Sequence, residues 1–470
     1  MKIIMPWPLI KRVTVFSVLF LSHSLFASEY SLAKSFSLNG LFNDNATLRA
    51  NAEGDRYGGT GVAEFKLSKL TSVSQFVGDI TLEANEYNLV SYSTFDQLMN
   101  LSYTRSNQKG SWGVSANYNR DSARALDPED QGLDFSGLID SRIFSKRLNA
   151  NWNRGINEKN TLAWNASVSD VEYESDFRNG YLYGQTSMLW QLFVSERMRL
   201  QANLAYSVLD SDQTSNLVSS PLFFDALGAG VFNIDETIFL IDSCRRGVNQ
   251  IALLSEIIYG PNSGIEPWSC FEERLTENTQ STLQLQLGVY YMLTERLVLD
   301  VLIGGSEVDT ENETVFLNVP PLGEVSGQRI DVNEGNDQGT VYRVSLEYIG
   351  ESWQSSLNLS RNTSVNSNSA LSLVTQASLD ARWRLNQHHS FGTSLSWNQQ
   401  EASSQAGDIF FDRDLIIAML RYDYNFNQEW KFSALYRLND QIRAGQSDHA
   451  RSNQFALTVA WRPATHKWSW

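Results

Sequence analysis

Long segments in which apolar and polar residues alternate with a period of two constrain this chain most. In residues 282–293 every second position from Leu283 to Leu293 is apolar, whereas Gln284 and Gln286 occupy positions between them. Such alternation is typical of a β-strand with one apolar face. The same pattern recurs at residues 297–303, 379–385, 391–397, 416–426, 430–438 and 455–461. We therefore expect an all-β fold.

Two all-β architectures alternate in this way, a soluble β-sandwich and a membrane barrel. The alternating segments run to about 10–12 residues, whereas strands of globular proteins usually have about 5–6. Their non-apolar face carries Ser, Asn, Gln, Thr and Arg with few Lys, as expected for a water-filled lumen. Tight turns also alternate with long polar loops, as in outer-membrane barrels. These features favour the membrane barrel.

We predict a transmembrane antiparallel up-and-down β-barrel of about 18 strands, with 16 as the alternative, in the outer membrane of a Gram-negative cell. Predicted strand starts include residues 142, 160, 198, 280, 340, 353, 389 and 430. The predicted outer loops include residues 210–279 and 304–339. Outer-membrane lipid is the expected surrounding of the barrel.

The N-terminal residues 1–27 have the composition of a signal peptide. Lys2, Lys11 and Arg12 precede the apolar run 13–26, and Ala27 follows it. The run is shorter than the roughly 20 residues that a membrane-spanning helix needs. We expect residues 1–27 to direct export and residues 28–470 to form one barrel domain, with an uncleaved anchor helix as the alternative.

Composition argues against several classes of function. A net charge of −16 would repel nucleic-acid phosphates, and two cysteines are too few for a zinc-rich or disulfide-dense scaffold. The sequence contains no nucleophile motif, metal-ligand cluster or phosphate-binding loop. We therefore expect no enzymatic activity, no cofactor and no metal. The acidic loop 304–339 lacks the spacing of a calcium-binding EF-hand, and a solvated acidic surface is expected there instead.

Aromatic residues concentrate at strand ends beside the tight turns, where an aromatic girdle meets the membrane interface. Six residues are predicted to form this girdle on the periplasmic side: Trp112, Trp152, Trp353, Trp383, Phe426 and Trp430. The last residue, Trp470, resembles the assembly signal of outer-membrane barrels. That resemblance implies the barrel-assembly machinery as a partner.

The predicted loop 210–279 is too long to be a simple connection and contains both cysteines, Cys244 and Cys270. In the oxidising cell envelope we expect one disulfide between them. It would stabilise the loop by roughly 3 kcal/mol in the chain-entropy description. The loop is expected to be either a constriction or plug at the pore mouth, or an outer cap without a gating role.

Strand parity predicts which charged side chains face the lumen. Twelve residues are pore-lining candidates: Arg147, Arg199, Arg343, Arg382, Arg384, Arg421, Lys431, Arg437, Asp300, Glu347, Asp380 and Asp423. Guanidinium groups bind carboxylates and phosphates through paired hydrogen bonds, so an arginine-lined pore favours anions and sugar acids. Alternatively, these residues pair with the lumen carboxylates and stiffen the barrel.

Two short motifs carry a family resemblance. Residues 41–45 read Leu-Phe-Asn-Asp-Asn, and residues 459–463 read Val-Ala-Trp-Arg-Pro. The chain resembles the outer-membrane barrel proteins associated with exopolysaccharide biosynthesis and exosortase loci. The resemblance implies an outlet for secreted polysaccharide, with periplasmic polysaccharide-export components as partners. A general or solute-specific diffusion porin and a surface structural or adhesion barrel are the alternatives.

Overall fold

The computed structural model describes residues 28–45, 55–88, 93–122, 142–174, 180–217, 272–318, 328–365, 371–401, 413–443 and 449–469. Within these ranges the strands form one antiparallel sheet. The predicted signal peptide, both cysteines (Cys244 and Cys270) and Trp470 lie outside the described residues.

None of the described residues belongs to a helix long and apolar enough to cross a lipid bilayer.

The strands follow one another along the chain and pair with their sequence neighbours. They are β1 (Glu29–Asn43), β2 (Arg56–Leu70), β3 (Ser74–Tyr87), β4 (Thr94–Asn107), β5 (Gly110–Ser122), β6 (Arg142–Asn157), β7 (Asn160–Tyr173), β8 (Tyr181–Phe193), β9 (Met198–Leu217), β10 (Glu272–Met292), β11 (Leu297–Asn318), β12 (Gln328–Ile349), β13 (Trp353–Val365), β14 (Leu371–Arg384), β15 (His389–Glu401), β16 (Arg413–Asn425), β17 (Trp430–Arg443), β18 (Ala450–Trp461) and β19 (His466–Ser469).

The sheet closes on itself through β1. Phe36 on this strand pairs with Ala63 of β2 on one side and with Trp461 of β18 on the other. After an interruption at residues 462–465, the short β19 continues β18 along the same edge of β1. The result is a closed barrel of eighteen strands, because β18 and β19 occupy one position in the ring. This confirms the predicted fold, and the alternative of 16 strands is wrong.

Short turns join the strands at one end of the barrel, at residues 71–73, 108–109, 158–159, 194–197, 293–296, 350–352, 385–388 and 426–429. Several are built on an asparagine whose side chain accepts hydrogen bonds from the backbone just beyond it. The Asn107 Oδ1 accepts from Gly110 N at 3.0 Å, and Asn427 Oδ1 accepts from Trp430 N at 2.8 Å. Asn side chains favour such turns because they replace a backbone acceptor.

The outer face of the barrel is apolar. Residues paired directly across an antiparallel ladder point to the same side, and Trp112 pairs with Trp152, as Trp353 pairs with Trp383. All six predicted girdle residues occur on this face beside the short turns. A closed barrel satisfies its backbone hydrogen bonds internally, so it can present this surface to lipid. The protein is an outer-membrane β-barrel.

Four consecutive strands are longer than sequence patterning predicted. Strands β9 to β12 have 20–22 residues, against 12–16 for the other strands of the ring. They extend through residues 210–217, 272–279, 304–318 and 328–339, which the sequence assigned to loops. The predicted starts at 280 and 340 were therefore wrong. Beyond the membrane both faces of a strand contact water, so the alternation that marks a strand is lost.

Candidate functional site

The ladders place all twelve predicted pore-lining residues on the face opposite the apolar one. Arg147, for example, pairs with Asn117 and Ser169, whereas its neighbour Leu148 pairs with Val168 on the outer face. Most of the twelve lie on β12, β14, β16 and β17, in the half of the barrel nearer the short turns. Arg147 and Arg199 lie apart from them, on β6 and β9.

The clustered charges line an open cavity of about 550 Å³ on the lumen side of β12 to β17. Its charged residues are Arg382, Arg421, Lys431, Glu347, Asp380 and Asp423. The lining of this cavity therefore contains three basic and three acidic groups. The remainder of the lining is mainly small and polar, and it includes Ser356, Gly392 and Ser394.

Ladder register sorts these charges into two rows. Arg382 pairs with Gly392, which pairs in turn with Arg421, and we call these three residues the basic row. Glu347 pairs with Ser356 and Ser356 with Asp380, which we call the acidic row. The basic row lies nearer the short turns than the acidic row by one inward-facing position, since Arg382 follows Asp380 by two residues on β14.

Asp423 contacts three neighbouring polar side chains of this wall. Its Oδ1 accepts hydrogen bonds from Arg421 Nε at 2.9 Å and from Ser433 Oγ at 2.7 Å. The Lys431 Nζ lies 3.1 Å from the same oxygen. Asp423 is buried, and networks of this kind rigidify a fold when every member is satisfied. In this cluster two lumen cations pair with a carboxylate, which is the arrangement that the sequence left as an alternative for the lumen charges.

Other lumen cations divide into engaged and unengaged groups. Arg343 Nη2 lies 3.3 Å from Asp300 Oδ2, and Arg437 Nε donates to Asn439 Oδ1 at 2.9 Å. The Arg199 guanidinium lies 4.5 Å from the Phe193 ring centroid and 4.7 Å from that of Tyr290. In contrast, the side chains of Arg382, Arg384 and Arg147 form no hydrogen bond or ion pair within the described part of the chain.

A second feature of the lumen is the outer end of β13, which does not pair with β12. The β12–β13 ladder stops at the pair Tyr342–Arg361, although β12 continues to Gln328. Just beyond, Gln284 Nε2 on the inner face of β10 donates to Thr363 Oγ1 at 3.2 Å. We call residues 362–365 and 371–375, at the outer ends of β13 and β14, the inner hairpin.

The inner hairpin also contacts β12. A Cβ added at Gly339 would lie 3.3 Å from Leu373 Cδ1. Thr363 pairs with Leu373, and Leu357 pairs with Leu379 nearer the short turns. All four lie on the same face of the β13–β14 pair, and Leu357 and Leu379 face lipid. One face of the β13–β14 pair therefore has two surroundings. Within the membrane it contacts lipid, and at the outer ends of the two strands it contacts the inner face of β10 to β12.

Several residues on the inner face of β9 to β12 are buried, whereas arginines on the inner face of β14 to β16 are exposed. Leu209, Thr282, Leu302 and Val341 are at most 2% exposed, whereas the side chain of Arg421 is 51% exposed. Sequence reasoning missed this division. A signal was available, because Leu209, Leu302 and Val341 are apolar residues at positions whose parity faces the lumen.

Within the described ranges, no group of three or more His, Cys, Asp or Glu side chains is arranged to hold a metal ion. Among the acidic residues of the predicted loop 304–339, Glu307, Asp309 and Glu311 face outward on β11. There Asn336 Nδ2 donates to Glu307 Oε1 at 2.9 Å and to Asp309 Oδ1 at 2.8 Å.

No protein-family model matches this chain, and no curated protein matches it. Solved structures with a similar fold include the ferric-catecholate import receptor Fiu from E. coli K12, at 8% identity and a TM-score of 0.44, covering 92% of this chain and 81% of that one. The ferric yersiniabactin uptake receptor FyuA from Yersinia pestis has 8% identity and a TM-score of 0.47, covering 95% and 72%. The monoaromatic hydrocarbon channel CymD has 8% identity and a TM-score of 0.31, covering 92% and 88%.

Proposed function

We propose that the protein is an outer-membrane channel that exports extracellular polysaccharide carrying anionic groups. One observation carries this proposal: Arg382 and Arg384 face the lumen, and their side chains have no hydrogen-bond or ion-pair partner in the described residues. An unpaired guanidinium presents a planar set of donors to a carboxylate or phosphate. Sugar acids and phosphorylated sugars supply such groups along a polymer.

The rest of this wall suits a carbohydrate chain. Around the arginines the inner face presents Ser356, Asn358, Ser378, Ser390 and Ser394. Hydroxyl and amide groups both donate and accept hydrogen bonds, as sugar hydroxyls do. A barrel of 16–18 strands is wide enough to enclose an aqueous passage. These features support passage of a hydrated polymer.

The second candidate is a diffusion porin for small solutes. Its supporting observation is the charge balance of the cavity, in which three basic residues face three acidic ones. Such a balance gives no overall preference for anions. A channel of this kind would conduct both ion types similarly and would have no role in secretion.

Ion selectivity tests the role of the arginines. In planar bilayers, R382E/R384E/R421E should lower the permeability ratio of chloride to potassium, because the variant turns a cationic wall anionic. The matched control is K109E/K159E/R197E, which makes the same change of charge at exposed short turns outside the lumen. Equal selectivity of the two variants would assign the lumen arginines a structural role.

Secretion tests the cargo. A strain that lacks this protein should release less extracellular polysaccharide, and complementation with the intact gene should restore release. Normal secretion by the deletion strain would refute polysaccharide export. Conductance of the purified protein would then favour the porin, and a protein without conductance would favour a barrel that only displays its loops.

A further inference from the structure

We infer that the basic row of Arg382, Gly392 and Arg421 is a binding subsite for a single carboxylate or phosphate group. This inference rests on the proposed function, because it concerns the anionic groups of a solute passing through the lumen. It goes further by naming the position where one such group stops. We call these three residues the anion subsite.

Ladder register places two arginines at the same level of the wall, and the Nε of one of them, Arg421, already donates to Asp423 Oδ1 at 2.9 Å. Arg382 on β14 and Arg421 on β16 are level with each other, separated only by Gly392 on β15. Strands lie about 4.8 Å apart, so the two backbone positions are roughly 10 Å apart. Two arginine side chains that lean towards each other can therefore hold one anion between them, each through paired hydrogen bonds.

Gly392 leaves the floor of the subsite empty. A Cβ added there would meet only Arg421 Cβ at 3.8 Å and Ala381 O at 4.0 Å. The packing of the wall therefore does not require a glycine at this position. Glycine in the middle of a strand often marks a place where a ligand approaches the backbone, and here it lies between two cations.

The local charge favours an anion. Arg382 has no ion-pair partner in the part of the chain that the structure describes. Arg421 and Lys431 share the single carboxylate of Asp423, so that carboxylate is divided between two cations. Asp380 and Glu347 lie in the acidic row, one inward-facing position farther from the short turns. An anion at Gly392 is therefore level with Arg382 and Arg421 and not with the acidic row.

Direct binding to the purified protein in detergent tests the subsite. Titration calorimetry with inorganic phosphate and with galacturonate should detect binding of at least one probe to the wild-type protein. Because a charge-assisted bond contributes about 1.5–3 kcal/mol, R382Q should weaken binding by about tenfold or more. G392L should weaken it comparably, since the leucine fills the floor without changing the charge.

R147Q is the matched control. Arg147 also faces the lumen without a partner in the described residues, but its ladder neighbours are Asn117 and Ser169 rather than a glycine beside a second arginine. Its affinity for either probe should stay within about twofold of the wild type, since distant surface charges are screened by salt. Heat-dependent migration in detergent gels confirms that each variant forms a barrel.

Two results would overturn the subsite: no binding of either probe to the wild-type protein, or equal loss of affinity in R147Q and R382Q. Binding of phosphate but not galacturonate would assign the subsite to phosphate groups, and the reverse result would assign it to sugar acids. Conductance measured on the same samples separates the two proposals. A protein that binds the probe but does not conduct refutes only the channel, and one that conducts without binding refutes only the subsite.

Discussion

The inner faces of β9–β12 and of β14–β16 belong to the same barrel, yet apolar side chains are buried on the first and arginine side chains are exposed on the second. Leu302 on β11 is 2% exposed, whereas Arg382 and Arg384 on β14 are exposed to the lumen. Both faces follow the same two-residue alternation. The comparison shows that strand parity determines which side of the wall a residue faces, but not what covers it there.

The difference originates at one point of the wall. Where the β12–β13 ladder ends at Tyr342 and Arg361, the β13–β14 pair turns inward and β12 continues outward. The inner hairpin then lies against β10 and β12 through Gln284 and Gly339. It covers part of the inner face of β10 to β12, whereas the anion subsite lies nearer the short turns on β14 to β16.

The largest expected effect is on single-channel conductance, when the inner hairpin is displaced from β12. In G339F the new ring would occupy the space of Leu373, which a Cβ at Gly339 would already approach to 3.3 Å. Overpacking of this kind forces the neighbour to move, so single-channel conductance should rise severalfold. The control is G184F, because a Cβ at Gly184 on the outer face of β8 meets nothing within 4 Å. Unchanged conductance of G339F would show that the hairpin does not limit the pore.

An intermediate effect concerns stability. L302A removes a side chain from the buried inner face and should lower the free energy of unfolding by about 2–5 kcal/mol. L435A removes a leucine from the inner face of β17, which is only partly buried, and should cost less. Urea unfolding in lipid vesicles measures both. Equal losses would mean that the two faces are packed alike.

The smallest expected effect separates structural from free charges on the open face. D423N removes the carboxylate that holds Arg421 and Lys431, and should cost about 1–2 kcal/mol because its partners are partly exposed. D380N removes a carboxylate without a hydrogen bond or ion pair in the described residues, so its unfolding free energy should stay close to that of the wild type. If D380N were the more damaging of the two, the assignment of Asp423 as the structural group would be wrong.

Much of the barrel could be predicted from local patterns. The strand starts at residues 142, 160, 198, 353, 389 and 430 agree with the structure, because each begins where apolar and polar residues start to alternate. The starts at 280 and 340 were late by several residues, since β10 and β12 extend beyond the membrane, where alternation has no apolar side to mark.

The candidate site was predictable in part. Parity alone indicated that Arg382 and Arg421 face the lumen, because alternation is a property of a single strand. It could not indicate that Gly392 lies between them, since that depends on the register of three strands. Nor could it separate Arg421, which is bound to Asp423, from Arg382, which has no such partner in the described residues.

The sequence by itself determined the all-β class, the apolar outer face and the side of the short turns. These depend on contacts between residues that are close along the chain, so a period of two and a few turn residues suffice. Only the tertiary structure decided which part of the lumen is covered. That outcome depends on where β13 leaves the ladder of β12 and on contacts such as Gln284–Thr363, between residues 79 positions apart. No local pattern encodes such a contact, because its two partners lie on the non-adjacent strands β10 and β13.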